Sequence, residues 1–361
     1  MRSIQELKQN LKIEAITLLK SLHIIMQRLF LCLLSCFPIL FLTSCAYSKT
    51  SSYDYPLIPK NKNKDLSENF MNIKLLGSLA LNQSRINSLP ISELSGIAWD
   101  EDEQILYAVS DEGLLYHLNL TFEDGKMKSM EVVYATRLKD KVGDKLRGKY
   151  SDSEGLSVIN GNNQKKGDSK LVISFENKPR IAEYSTQGAL LAKIKIPKKL
   201  RKKKYYRSKN KALESVIIHP KYGRITAAEY PLKKDDIKYQ TLYSVSKKAP
   251  GKVWHFDASS ATNSAITGLE VLPDGNILVL ERAYQSPITP IIMNLRRVFL
   301  NDCNKKNECK TESIASFNGI DGWLLDNFEG LAHLHGNQYL VVSDDNGNPL
   351  QRTILVHFEI N

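Results

Sequence analysis

The sequence predicts an all-β protein, a β-propeller with five blades, on two observations. From Ile73 onward the chain consists of short apolar runs rich in β-branched residues, separated by turn residues and without a long amphipathic helical pattern. One motif also recurs five times, and its small residues lie 53 to 62 residues apart, at Gly96, Gly155, Ser215, Gly268 and Gly330. A repeat of this length with four strand-like runs is typical of a propeller blade.

The ends of the chain predict how the ring closes. Four of the five units contain four strand-like runs each, but the unit that begins near Gly330 contains only three before the chain stops. The run Ile73–Leu81, upstream of the first motif, can supply the missing outer strand. This pairing leaves no open sheet edge between the first and last blades. Six blades are the alternative, if a long loop contains further strands.

The first 44 residues are predicted to be an export signal. Arg28 precedes the 14-residue apolar run Leu29–Leu42, which has the length of a signal core and is short for a spanning helix. The run is followed by Thr43, Ser44 and Cys45, a sequence that resembles a bacterial lipobox. Cys45 is therefore the expected lipidation site and mature N-terminus. An uncleaved membrane anchor is the alternative, and Met26 is an alternative start.

The signal predicts location and domain boundaries. A lipid on Cys45 would hold the protein in the cell envelope, and Ala46 in place of an aspartate favours the outer membrane, facing the periplasm. Residues 45–70, rich in Ser, Lys, Asn and Pro, are predicted to be a flexible tether. Residues 71–361 are predicted to form the propeller domain, which we expect to be monomeric.

Cysteines and charge narrow the chemistry further. Cys303 and Cys309 are the two cysteines left after the signal and Cys45, and in an oxidising compartment they predict a local disulfide. A metal pair is less favoured, because no further cysteine completes a ligand set. The whole chain carries a net charge of +11. A basic envelope protein favours anionic partners, such as lipid headgroups, phosphorylated small molecules or anionic envelope polymers, and nucleic acid does not fit this compartment.

Six segments carry a resemblance to a known family. They are LSGIAWD at 94–100, SDSEGL at 151–156, ISFENKPRIAEYSTQGALL at 173–191, NKALESVIIHP at 210–220, VLPDGNILVLERAY at 271–284, and DNFEGLAHL with VVSDDN at 326–346. In this order they resemble the phytase-like family, also described as "esterase-like activity of phytase", over about residues 74–361. The resemblance implies a propeller and hydrolysis of phosphate esters. The chain departs from the family at Ala212, where glycine is usual, and at Gly268, where no acidic residue precedes the motif.

Acidic residues recur at two positions of the repeat. The first strand of a blade lines the channel and the second runs antiparallel to it, so the start of the first and the end of the second meet at one mouth. We therefore expect their carboxylates to converge there. The residues that open first strands are Glu154, Glu214 and Glu329, with Glu93 further back; those that close second strands are Asp111, Glu176, Glu229, Glu281 with Arg282, and Asp344 with Asp345.

The converging carboxylates have two interpretations. Several carboxylates in one rim repel each other, and a hard cation such as Ca²⁺ relieves that repulsion, which predicts Asp111, Glu154, Glu214, Glu229, Glu329 and Asp345 as metal ligands. Glu176, Glu281, Arg282 and Asp344 are the candidate catalytic residues, with the Arg282 fork binding phosphate. Alternatively, the strand-opening glutamates accept backbone hydrogen bonds between blades and are structural.

These observations give two hypotheses for function. One is a calcium-dependent phosphoester hydrolase of the periplasm, and the other is a non-catalytic propeller that binds a ligand or an envelope partner. The sequence contains no G-x-S-x-G elbow, P-loop or dinucleotide fingerprint. The basic run Lys198–Arg207 either docks on anionic groups or is a solvated loop.

Overall fold

The computed structural model describes residues 52–57, 69–82, 85–208, 211–284 and 289–361. The predicted signal and the lipidation site Cys45 lie outside the described residues. No helix in the described ranges is both long and apolar enough to cross a membrane.

Five short or edge strands precede the first complete blade. They are β1 (Ser52–Asp54), β2 (Asn69–Phe70), β3 (Ile73–Leu81), β4 (Arg85–Ile86) and β5 (Leu89–Pro90). β1 pairs antiparallel with β3, and Ser52 Oγ accepts a hydrogen bond from the Met130 backbone N–H at 2.9 Å. Residues 52–54 of the predicted tether are therefore a sheet strand rather than a free linker.

Four blades are four-stranded antiparallel sheets whose strands follow each other along the chain. Blade 1 comprises β6 (Leu94–Asp100), β7 (Ile105–Ser110), β8 (Leu114–Glu123) and β9 (Lys126–Arg137). Blade 2 comprises β10 (Ser153–Ile159), β11 (Lys170–Phe175), β12 (Arg180–Ser185) and β13 (Leu190–Ile194). Blade 3 comprises β14 (Leu213–His219), β15 (Gly223–Ala228), β16 (Tyr239–Ser244) and β17 (Val253–Asp257). Blade 4 comprises β18 (Ser264–Val271), β19 (Ile277–Ala283), β20 (Ile292–Cys303) and β21 (Cys309–Asn318).

Blade 5 joins the two ends of the described chain. Its strands β22 (Asn327–His335), β23 (Gln338–Asp344) and β24 (Ile354–Ile360) are completed by β3, which pairs antiparallel with β24 from Ile73 opposite Ile360 to Ala80 opposite Ile354. The predicted five-bladed propeller with an N-terminal closing strand is confirmed. The six-bladed alternative is wrong for the described residues, whose sheets are the five blades and the two-stranded pair β4–β5.

Apolar side chains form one core at each junction between neighbouring blades. For example, Tyr107 of blade 1 packs in one cluster with Ile173 of blade 2, and Leu280 of blade 4 packs with Val341 of blade 5. Burial of each such side chain contributes about 1.5–3 kcal/mol. The alternation of apolar residues along the strands thus fills the spaces between blades and holds the ring together.

The five inner strands touch each other around the axis. A Cβ atom on Gly96 would lie 2.1 Å from the Glu154 carbonyl oxygen, and one on Gly155 would lie 2.4 Å from the Ser215 Cα. No real Cβ tolerates such contacts, so the repeated small residue lets adjacent inner strands approach closely. The channel is narrow where these small residues lie. The residues that precede them in the inner strands form the floor of a cup.

Helical structure is short and lies in loops. The one α-helix of the described chain, α1 (Lys198–Arg201), and the 3₁₀ turns Gly148–Tyr150, Lys203–Tyr205 and Gly319–Asp321 all follow the outer strand of a blade. These connections run from an outer strand to the next inner strand, on the side where the inner strands begin.

Candidate functional site: an acidic cup at the channel mouth

A β-bulge near the start of each inner strand positions the first set of side chains. The bulge in blade 1 lies between Leu94 and Gly96, and the corresponding bulges recur in all five inner strands. A bulge leaves its extra residue out of the ladder and redirects that side chain. The residues at these bulges, which we call the inner ring, are Ser95, Glu154, Glu214, Thr267 and Glu329.

The second set of side chains comes from the ends of the second strands. Just before each bulge, the inner strand pairs with one residue near the end of the second strand. These second-strand residues are Ser110, Phe175, Ala228, Glu281 and Ser343. The next residue in each blade therefore occupies one equivalent position. We call these five residues the outer ring: Asp111, Glu176, Glu229, Arg282 and Asp344.

Carboxylates of the two rings meet most closely in blades 2 and 3. Oxygens of Glu176, Glu214 and Glu229 lie within 4.8 Å of one another, and so do oxygens of Asp152, Glu154 and Glu176. Glu176 belongs to both groups, and its Oε1 accepts the Ala212 backbone N–H at 2.9 Å. Such spacing is within reach of one hard cation, which takes six to eight oxygen ligands. We call the two rings together with Asp152 the acidic cup.

Arg282 is the countercharge inside the cup. Its Nη1 donates to Asn327 Oδ1 and, at 2.5 Å, to Glu329 Oε1, and its Nη2 lies 3.8 Å from Glu229 Oε1. Burial alone would lower the pKa of Arg282, but Glu329 and Glu229 raise it, so the guanidinium remains charged. Because these carboxylates engage its fork, Arg282 neutralises the cup instead of presenting a free phosphate-binding fork.

Lys211 is a second cation, at the rim. Its Nζ lies 2.9 Å and 3.1 Å from the two oxygens of Glu229 and 4.6 Å from the centre of the Tyr230 ring. The Lys211 side chain is 38% exposed, whereas that of Arg282 is 15% exposed. Lys211 therefore faces both the cup and the solvent.

Burial and mutual repulsion raise the carboxylate pKa values. Burial raises the pKa of Asp111 to about 7, with Glu329 and Glu93 adding to the effect, although a hydrogen bond from Ser95 opposes it. Burial, followed by Asp152 and Glu229, raises the pKa of Glu176 to about 8, against the opposing Ala212 hydrogen bond. Burial, followed by Glu329 and Asp111, raises the pKa of Asp344 to about 9.

The pKa values of the inner-ring glutamates of blades 2 and 3 are raised as well. Burial raises the pKa of Glu154 well above its usual value, and the charges of Glu214 and Asp111 add to this. Burial also raises the pKa of Glu214 well above its usual value, with Glu229 and Glu329 as the next causes and Arg282 opposing. Without a cation the cup favours protonated carboxyls, and a bound cation would favour their ionised forms.

The predicted catalytic residue Glu281 does not lie in the cup. Its carboxylate is fully buried and pairs with Arg296 on β20, at 3.1 Å. Arg296 in turn donates to the Asp257 carbonyl of blade 3 at 2.7 Å. Adjacent residues of a strand point to opposite faces, so Arg282 takes the cup position and Glu281 points away. The placement of Glu281 at the mouth was wrong by one residue.

Asp345, predicted as a metal ligand, has both carboxylate oxygens engaged in hydrogen bonds. Its Oδ1 accepts the backbone N–H of Glu93 at 2.9 Å and that of Gly347 at 3.1 Å, and its Oδ2 accepts from Thr353 Oγ1 at 3.0 Å. These contacts fix the loop after β23. They leave Asp344, not Asp345, as the outer-ring residue of blade 5.

The repeated motif did not single out two polar residues that lie against the rings, Asp152 and Asn327. Asp152 precedes Glu154 by two residues, and Asn327 precedes Glu329 by two residues. Asn327 Nδ2 donates to Glu329 Oε1 at 2.9 Å and to Asp344 Oδ2 at 3.2 Å. The spacing of two residues along a strand was the available signal, because alternate residues share a face.

The predicted cysteine pair lies far from this chemistry along blade 4. Cys303 and Cys309 form a disulfide with an S–S distance of 2.07 Å at the turn between β20 and β21. This turn is at the end of the blade opposite to the acidic cup. The pair therefore ties a hairpin and takes no part in the site.

Comparison with known proteins identifies the class to which this fold and site belong. The model of the phytase-like family, described as "esterase-like activity of phytase", matches residues 89–347. The chain belongs to this family, and the matched range includes both rings of the acidic cup. A search of curated proteins gave no match.

Solved structures similar to the chain include other propellers at low identity. The PQQ-bound aldose sugar dehydrogenase of Streptomyces coelicolor is 12% identical, with 84% of this chain and 100% of that chain covered and a TM-score of 0.41. The Cps50 (Swd1) β-propeller domain of Myceliophteria thermophila is 14% identical, with 73% and 65% covered and a TM-score of 0.34.

Proposed function

We propose that the protein is a periplasmic phosphate-ester hydrolase whose acidic cup holds a divalent cation, with Ca²⁺ the best fit. The observation that carries the proposal is the pair of carboxylate groups that share Glu176. Membership in a family described by the esterase-like activity of phytase supports the substrate class.

The donor set favours a hard cation. Every candidate ligand in the two groups is a carboxylate, and no His or Cys belongs to either group among the described residues. Oxygen-only sites suit Ca²⁺ and Mg²⁺, and a crowded set of flexible glutamates suits the larger coordination number of Ca²⁺. Asp152, Glu154 and Glu176 would hold the ion, since Glu229 of the other group is already engaged by Lys211.

The cation, Glu176, Lys211 and Arg282 would each have a different role in hydrolysis. A bound cation would polarise a phosphoryl oxygen and lower the pKa of a bound water. Glu176, held in place by the Ala212 N–H, would be the ligand that the two carboxylate groups share. Lys211 at the rim is the accessible cation for the phosphate charge, whereas Arg282 prevents the excess of negative charge from opening the cup.

Turnover of phosphate esters tests the proposal, with p-nitrophenyl phosphate and phytate as substrates and either Ca²⁺ or EDTA present. We expect Ca²⁺-dependent hydrolysis, and about a 100-fold loss of kcat/KM in Glu176→Gln, because this change removes the carboxylate ligand that the two groups share. Glu281→Gln is the matched control: it changes a buried glutamate of the same repeat that lies outside the cup. Equal activity of the two variants, or hydrolysis that EDTA leaves unchanged, would contradict the proposal.

A non-catalytic ligand-binding propeller is the second candidate function. A cleft of about 560 Å³ lies beside the cup between blades 3 and 4, lined by Arg207, Lys211, Tyr230, Gln240 and Tyr284 among others. Aromatic rings, an amide and cations suit a polar anionic ligand. Calorimetric Ca²⁺ binding without turnover of any ester would favour this candidate.

A further inference from the structure

The loops of the propeller divide into two faces by topology. Inner strands begin and second strands end at the acidic cup. The connections from an outer strand to the next inner strand, and those between second and third strands, therefore lie on the cup side, which we call the mouth face. The other turns lie on the opposite face.

One mouth-face loop is strongly basic. Residues 195–212, between β13 and β14, contain ten Lys or Arg residues and no Asp or Glu. The loop is anchored from below, because Leu200 and Tyr206 are buried and Tyr206 Oη donates to the Leu200 carbonyl at 2.6 Å. The side chains of Lys198, Arg201 and Lys202 are exposed. These three cations lie on the surface, whereas Lys203 donates to Asn177 Oδ1 and Arg207 donates to the Pro231 and Asp235 carbonyls.

Two neighbouring mouth-face loops extend this charge. Residues 139–149 lie before blade 2 and residues 233–238 lie within blade 3. Together with residues 195–208 they form a surface that we call the basic sector. The three segments contain sixteen Lys or Arg residues and four Asp residues. An excess of positive charge of this size attracts a polyanionic surface over a distance of about one Debye length.

Exposed apolar side chains are concentrated on the same face. The described chain has ten exposed large apolar residues, and four of them lie away from the mouth face: Tyr53, Met71, Phe122 and Leu191. The other six lie on mouth-face loops: Val142, Tyr150, Ile237, Tyr284, Ile320 and Leu350. Within the basic sector, Val142 is 71% exposed and Ile237 is 66% exposed, each with lysines beside it in the sequence.

We infer that the mouth face docks on an anionic lipid bilayer, with the basic sector against the headgroups and its apolar side chains in the interface. Lys and Arg near an anionic membrane contribute about 1 kcal/mol each, and apolar side chains that enter the headgroup boundary add to this. A soluble polyanion would explain the cations but would give the exposed Val142 and Ile237 no partner. The combination of the two features favours the bilayer.

Vesicle sedimentation with the full chain tests this inference. The vesicles contain phosphatidylglycerol and phosphatidylcholine in equal parts, or phosphatidylcholine alone. The test variant combines Lys198→Glu, Arg201→Glu and Lys202→Glu. The matched control combines Lys247→Glu, Lys248→Glu and Lys305→Glu, which are exposed lysines in turns of the opposite face.

We expect the wild type to bind the anionic vesicles more tightly than the neutral ones. The test variant should bind about 100-fold more weakly, since three favourable charges of about 1 kcal/mol each are lost, and the control should bind like the wild type. Equal binding of the two triple variants, with wild-type Tm values for both, would overturn the inference.

A second pair of changes separates a bilayer from a soluble polyanion. Val142→Ser combined with Ile237→Ser should weaken vesicle binding about tenfold and leave binding to dextran sulfate unchanged, because only the bilayer receives apolar side chains. Unchanged vesicle binding in this variant, together with dextran sulfate binding as tight as that of vesicles, would assign the surface to a soluble polyanion and overturn the inference.

Discussion

Blades 3 and 4 place side chains of different charge at equivalent backbone positions of the repeat. Blade 3 places Glu214 at the bulge and Glu229 after the second strand, whereas blade 4 places Thr267 and Arg282 there. The repeat therefore dictates where a side chain points, and the individual sequence dictates its charge. A cup with glutamates from all five blades would carry uncompensated repulsion. Blade 4 supplies the internal cation that makes the acidic blades tolerable.

The largest expected effect comes from removing that cation. Arg282→Ala leaves Glu229 and Glu329 buried without their shared partner, and we expect a loss of about 3–5 kcal/mol in the free energy of unfolding. Urea denaturation measures it. Lys211→Ala is the control, with a loss of about 1 kcal/mol or less, since that pair is partly solvated. If the two variants lose the same stability, Arg282 is not the countercharge of the cup.

A smaller effect is expected from pH in the presence of EDTA. The folded-state pKa values of Asp111, Glu176 and Asp344 are about 7, 8 and 9, and each lies above the value in the unfolded chain. Between about pH 4 and pH 9 the folded protein therefore binds more protons than the unfolded chain. Stability should therefore fall as the pH rises from about 4 to about 9, and thermal unfolding in EDTA measures the fall as a decrease in Tm. Ca²⁺ should reverse the loss. A Tm that stays constant over this range in EDTA would contradict the raised pKa values.

The smallest effect compares one substitution at two positions. Glu281→Gln removes the charge that pairs with Arg296 and should destabilise the protein by about 1–2 kcal/mol. Glu176→Gln removes a repelled charge and should stabilise the protein by about 1 kcal/mol at pH values above 8 in EDTA. Thermal unfolding of both variants under identical conditions measures the difference. If both variants change the Tm in the same direction, the Glu176 carboxylate is not repelled by its neighbours.

Much of the cup was predictable because the repeat is regular. Glu154, Glu214 and Glu329 follow from the motif, and Asp111, Glu176, Glu229 and Asp344 follow from the antiparallel return of the second strand. The fourth blade was not predictable in the same way. Its sequence offers Glu281 and Arg282 side by side, and the strand register alone decides which of them faces the cup.

The sequence by itself determined the fold class, the blade count and the closing strand, because hydrophobic periodicity and repeat spacing are local properties of the chain. The tertiary structure decided which neighbours meet around the axis. Arg282 contacts Glu229 of the preceding blade and Glu329 of the following one, residues separated from it by tens of positions. Charges, pKa shifts and ligand groups depend on such distances, and a distance between blades is fixed only when the ring is closed.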